Sequence, residues 1–151
     1  MCGFVGAFSS EKLSLHCKRK IKVMINQIKH RGPDEFGSYE EDKFFVQFAR
    51  LSIIDLKKRS NQPFLDTSKR YVIVYNGEIY NFLDIKKNLQ KQNVKFRTTS
   101  DTEVVVESFK KWGVNSFNKF QGMFSIVIYD RKKKKIILSR DHFGIKPIYY
   151  L

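Results

Sequence analysis

The chain has 151 residues, of which 42% are hydrophobic and 15% aromatic, enough for one domain with a core and too apolar for a disordered segment. No apolar run nears the roughly 20 residues of a bilayer span and no basic leader precedes Gly3–Phe8, so a soluble cytoplasmic domain without membrane contacts is expected. The net charge of +14 invites a nucleic-acid reading, but the lysines are scattered and their densest run, 131–135, sits between two apolar segments, so no specific nucleic acid is expected.

Residues 3–8 read as a short buried strand. Leu13, Cys17, Ile21, Met24, Ile25 and Ile28 recur at three- and four-residue spacing, which predicts an amphipathic helix with Cys17 in its apolar stripe. His30-Arg31-Gly32-Pro33-Asp34 breaks that helix into a loop. Aromatic and β-branched runs predict strands at 44–48, 51–54 and 71–75. A second helix is expected from Glu78 to about Gln90, with Ile79, Phe82, Leu83 and Leu89 on one side. Ser100-Asp101-Thr102-Glu103 has capping-box spacing and opens a third helix that stops at Gly113. Segments 123–129 and 136–139 form a hairpin with a lysine-rich tip, and 147–151 reads as a last strand. Strands in blocks with helices between them favour antiparallel sheets covered by helices, an α+β layered domain.

Two cysteines make no disulfide framework, and with three dispersed histidines (His16, His30, His142) they give no metal site. Cys2 is the chemically pointed one. Once Met1 is removed it carries a thiol and an α-amine, with reference pKa values of about 8.5 and about 7.7–8.0. Such an amine can act as general base for its own side chain near neutral pH. The competing reading is a cysteine placed by chance in a buried first strand.

Met1-Cys2-Gly3, 30–34, Arg50-Leu51-Ser52-Ile53, Asn76-Gly77-Glu78-Ile79-Tyr80-Asn81, 100–103, Gln121-Gly122-Met123-Phe124 and 140–147 occur in this order. Together they resemble the N-terminal glutaminase domain of glutamine-hydrolysing asparagine synthetase, a class II glutamine amidotransferase among the N-terminal-nucleophile hydrolases. The resemblance runs over the whole chain and implies a four-layer αββα sandwich of antiparallel sheets, truncated at its C-terminal end. It implies a catalytic Cys2 that attacks the side-chain amide of L-glutamine, and an oxyanion hole from the Asn76 side chain and the Gly77 backbone. For Asn76-Gly77 alone, a turn is the competing reading.

The same resemblance places Arg50 on the substrate carboxylate, Asp101 on its ammonium with Glu78 nearby, and Ile53 and Ile54 along the substrate. A capping role competes for Asp101. Arg31 and Asp34 read as loop-organising residues, and neither His142 nor Lys146 is assigned chemistry. No cofactor is implied for the glutaminase half. ATP and Mg belong to a synthetase domain that the resemblance expects in the same polypeptide, as the partner receiving ammonia, and that is absent from residues 1–151. A homodimer is admitted. The alternatives are an amidotransferase with another ammonia acceptor and a non-catalytic glutamine-binding module.

Overall fold

Strand β3 (Phe44–Arg50) is buried at six of its seven positions, so both of its faces must be covered. Period-two alternation sends Phe44, Val46 and Phe48 to one side and Phe45 to the other. Strand β5 (Tyr71–Ile79) divides likewise, Val72 and Val74 against Ile73, Tyr75 and Ile79. Three apolar layers result, and they require four layers of structure.

The computed structural model describes residues 2–151. Its first sheet has the order β1 (Gly3–Phe8), β3, β2 (Glu35–Glu41), and its second has β4 (Phe64–Leu65), β5, β6 (Gly122–Asp130), β7 (Lys135–Arg140). All strand pairings within them are antiparallel. Helix α1 (Leu15–Gln27) covers the first sheet through Ile21, which packs with Leu13 and Phe45. The sheets face each other through Phe44, Val46, Phe48, Val72, Val74, Val127 and Tyr129. Helices α2 (Phe82–Lys91) and α3 (Asp101–Trp112) cover the second sheet with Ile85, Leu89 and Val104–Val106. This is the expected α+β sandwich in four layers, helix, sheet, sheet, helix.

Several local expectations are corrected. Residues 51–54 are not a strand. The Leu51 N–H goes to the Cys2 thiol and the Ser52 N–H to Asp34, so two amides that a ladder would need are already engaged. Residues 147–151 are not a strand either, and Tyr149, Tyr150 and Leu151 stand exposed. Asn76-Gly77 is no turn: β5 runs on to Ile79 because β6 pairs with it as far as Gly122, and α2 starts only at Phe82. On that helix Leu83 is exposed while Ile85 is buried; on α1, Met24 is exposed and Leu13 precedes the first turn. Strand β2, with alternating burial at the sheet edge, and the two-residue β4 were not anticipated.

Helix α3 begins as expected on the Ser100 hydroxyl, which accepts the Thr102 N–H, and ends at Gly113 with φ +59°. The capping box itself does not form, since Ser100 takes the amide of the second helical residue rather than the third. Glu103 turns instead to the backbone amides of Arg97 and Thr98 and to the Thr98 hydroxyl. The hairpin between β6 and β7 is tipped by 131–134, as its lysines predicted.

Candidate active site

Cys2 precedes β1 at the edge of the inter-sheet layer. Its Sγ accepts the Leu51 N–H at 3.3 Å and donates to the Leu51 carbonyl at 3.5 Å. The Cys2 carbonyl accepts from Arg31 Nε at 3.2 Å, so Arg31 holds the Cys2 main chain. Burial pushes the Cys2 thiol up, while the Leu51 amide and the Arg50 charge pull the other way. A thiol in that state needs a proton acceptor before it can react.

Beside it lies an open edge of the second sheet. The amides of β5 alternate in direction, and the even-numbered ones face β6, a run continued by Tyr80, whose N–H donates to the Gln121 carbonyl. The odd-numbered ones face β4. That partner strand pairs only Ile73 and Val72, and beyond it side chains take over. The Gln62 carboxamide serves Tyr75, accepting its N–H at 2.6 Å and donating to its carbonyl at 3.1 Å. The Ile79 amide faces the Asp101 carboxylate. Between them the Gly77 N–H is directed into the cleft. The same alternation puts the Asn76 side chain on the face of Val72 and Val74, toward Cys2. Glycine is required at 77, since a Cβ there would stand 2.1 Å from the Met123 carbonyl oxygen.

Arg50 ends β3 and is 5% exposed. Its guanidinium donates to Asn61 Oδ1 at 2.5 Å and to the carbonyls of Ile54 and Asp55 at 3.3 and 2.7 Å. It therefore shapes the 51–55 loop that carries Ile53 and Ile54 along the cleft. These contacts do not exhaust its donor fork. Asp101 is the first residue of α3, and the cap itself is Ser100. Burial raises the Asp101 carboxyl, against hydrogen bonds led by that from Tyr75 Oη, which donates to Oδ2 at 2.8 Å.

Cys2, Arg50, Ile53, Ile54, Asn76, Gly77, Glu78 and Asp101 thus line one cleft. A guanidinium, a carboxylate, a thiol and backbone and side-chain amides share its lining. The cleft also holds residues that sequence reasoning missed or discounted: Gln62, Tyr75, Thr102 and Lys146. Lys146 is 3% exposed. Asp141 brings it there by accepting the amides of Phe124, Ile145 and Lys146. Burial lowers the Lys146 ammonium, and the Arg31 charge adds to this while Asp141 and Cys2 oppose it. His16, His30 and His142 are exposed and line no part of the cleft. Among the described residues no group of three or more His, Cys, Asp or Glu side chains is placed to hold a metal, and no helix is long and apolar enough to cross a membrane.

The site thus sits in a four-layer sheet sandwich, with Cys2 just before its first strand and Asn76 and Gly77 of the second sheet on the same cleft. The chain belongs to the glutamine amidotransferase domain family, which it matches over residues 1–151. It is 38% identical over 152 residues to asparagine synthetase (glutamine-hydrolyzing) 1 of Bacillus subtilis, covering 99% of this chain and 24% of that protein. It is 36% identical over 168 residues to a putative asparagine synthetase (glutamine-hydrolyzing) 2 of Methanocaldococcus jannaschii, covering 99% and 32%. Against asparagine synthetase B (glutamine-hydrolyzing) of Escherichia coli the identity is 33% over 149 residues, covering 99% and 26%. The chain spans 24–32% of the length of these three relatives.

Proposed function

We propose that this domain hydrolyses the side-chain amide of L-glutamine through a Cys2 thioester. The observation that carries the reading is the gap in the β5 edge, where the Gly77 N–H and the Asn76 side chain lie on the same cleft as the Cys2 thiol. With Met1 removed, the Cys2 α-amine takes the thiol proton, directly or through a water, and the thiolate attacks the amide carbon. The oxyanion settles between the Asn76 amide and the Gly77 N–H, donors fixed before charge develops. Collapse breaks the C–N bond, and the proton held on the α-amine leaves with the nitrogen as ammonia. Water then attacks the thioester, gives a proton to the same amine, and releases glutamate and the thiol.

Arg50 receives the substrate carboxylate with the part of its fork that the loop does not use, and Asp101, with Glu78 nearby, receives the ammonium. The 51–55 loop sets the cleft wall with Ile53 and Ile54. No cofactor enters this half-reaction. Relatives that are glutamine-hydrolyzing asparagine synthetases support asparagine as the end product; the reading extends to a further step in which ammonia passes to an ATP-dependent synthetase domain of the same polypeptide, with Mg, that makes asparagine from aspartate. That domain lies outside residues 1–151, and a cytoplasmic location follows from the same reading.

The test is glutamate release from glutamine by the processed protein and by Cys2→Ala. Release by the wild type and none by the variant is expected. Equal release by both overturns the reading.

A further inference from the structure

Gln62 is 7% exposed and lies just outside the two-residue strand β4. The β4–β5 register sets Phe64 against Ile73 and Leu65 against Val72, and two residues further along it would set position 62 against Tyr75. The residue between is Pro63, whose place in this register would face away from β5. The Gln62 side chain takes over the hydrogen bonding at Tyr75. Its carboxamide is a peptide group in miniature, and it accepts the Tyr75 N–H and donates to the Tyr75 carbonyl as a neighbouring strand would. Its nitrogen also donates to Thr102 Oγ1 at 3.3 Å. The main chain is seated from the other sheet, where a Cβ on Gly37 would come within 1.9 Å of the Gln62 carbonyl oxygen.

We infer that Gln62 is a positioning residue of the glutaminase site, its carboxamide closing the β4-side edge of β5 at Tyr75 so that Gly77 alone is left open to the substrate. The inference rests on the glutaminase reading and deepens it. Two consequences separate the role from simple core packing. Tyr75 is bonded to Asn76, so the peptide that Gln62 grips is the one leading directly into the oxyanion donors. Thr102 is bonded to Asp101, so the third hydrogen bond ties that strand to the start of α3, where the substrate ammonium is received. Gln62 touches no reacting atom in this scheme. It fixes the spacing between the oxyanion donors and the group that receives the substrate ammonium.

The experiment uses the full polypeptide with its processed N-terminus. Gln62→Met keeps the volume and removes all three hydrogen bonds; Thr102→Val removes only the tie to α3. Steady-state glutamate release gives kcat and KM, and the rate of Cys2 alkylation by iodoacetamide reports on the thiol without using the oxyanion donors. Gln62→Met is expected to lower kcat by about tenfold or more, the scale of a small misplacement of reacting groups, with alkylation unchanged. Thr102→Val is expected to raise KM for glutamine with kcat within about twofold of wild type, as for loss of ground-state binding. Should Gln62→Met not fold, Gln62→Asn, whose shorter amide cannot reach both Tyr75 groups, is expected to show the same kcat loss.

A folded Gln62 variant with wild-type kcat overturns the inference and leaves the glutaminase reading standing. So does a kcat loss matched by an equal loss of alkylation, which assigns the effect to general disorder. A wild type without Cys2-dependent release overturns both.

Discussion

Gly77→Ala perturbs the site by a single methyl group. The added carbon would stand 2.1 Å from the Met123 carbonyl oxygen and 2.6 Å from the Phe124 Cα, both backbone atoms of β6. Backbone in the centre of a sheet cannot swing aside as a side-chain tip does. Reaching the 3.4 Å of ordinary contact needs β5 and β6 to part by about 1.3 Å. A misplacement of about 1 Å between reacting groups costs about 100-fold in rate, and overpacking of this kind costs about 1–3 kcal/mol of stability. Gly77→Ala is therefore expected to lower kcat for glutamine hydrolysis by about 100-fold while melting only modestly earlier. The assay is glutamate release at saturating glutamine, with thermal denaturation and Cys2 alkylation as controls. A variant that retains kcat within about threefold would refute the claim that this amide, held at this spacing, stabilises the oxyanion.

Other expectations follow from the electrostatics. Asp101 must be ionised to hold an ammonium, and burial raises its carboxyl, so KM for glutamine should climb as pH falls through that raised pKa, and Asp101→Asn should show a high, pH-independent KM. Lys146 lines the cleft and its charge favours a Cys2 thiolate; Lys146→Met should move the pH profile of Cys2 alkylation upward, and an unmoved profile would remove Lys146 from the thiol's surroundings. Glu41 ties β2 to the β6–β7 hairpin. Burial alone would raise its carboxyl, but hydrogen bonds from Lys134, Tyr39, Arg131 and Tyr129 outweigh this and hold it at about 2. A depressed carboxyl stabilises the fold fully above its unfolded pKa and loses that contribution as pH falls toward the folded one. Acid titration of stability should thus decline between about pH 4.5 and about 2, and Glu41→Gln should flatten that decline.

The α+β layering could be read because strands come in blocks with helices between them, while the four-layer order came with the family resemblance and is carried in the structure by β3 and β5, buried on both faces. The hairpin and the α3 boundaries were legible through their turn and cap residues, Lys132–Lys134, Ser100 and Gly113. Residues 51–54 misled because Leu51, Ile53 and Ile54 look like a strand. What denies them a ladder is the thiol of Cys2 and the carboxylate of Asp34, partners distant in sequence. Strand β2 was hidden because its Glu, Gly and Ser residues suit an edge and carry little strand propensity.

The site divides the same way. Cys2 could be singled out by its chemistry, whereas Arg50 and Asp101 were picked out only by the family resemblance, and Asn76-Gly77 by itself reads as a turn until β6 is seen to pair past it. Gln62 had no signal at all, since its role exists only through the β4–β5 register. Lys146 was discounted for want of a visible catalytic need, and its position depends on Asp141 gathering three backbone amides.

The central claim is that Cys2 reacts because its own α-amine serves as base. The most direct measurement compares two preparations of the same polypeptide, one with Met1 removed and one with Met1 retained, each verified by mass spectrometry and assayed for glutamate release. The processed protein should release glutamate and the unprocessed one almost none, with both folded alike. Equal turnover by the protein that keeps Met1 would contradict the account, because its Cys2 nitrogen is then an amide with no basic lone pair to offer.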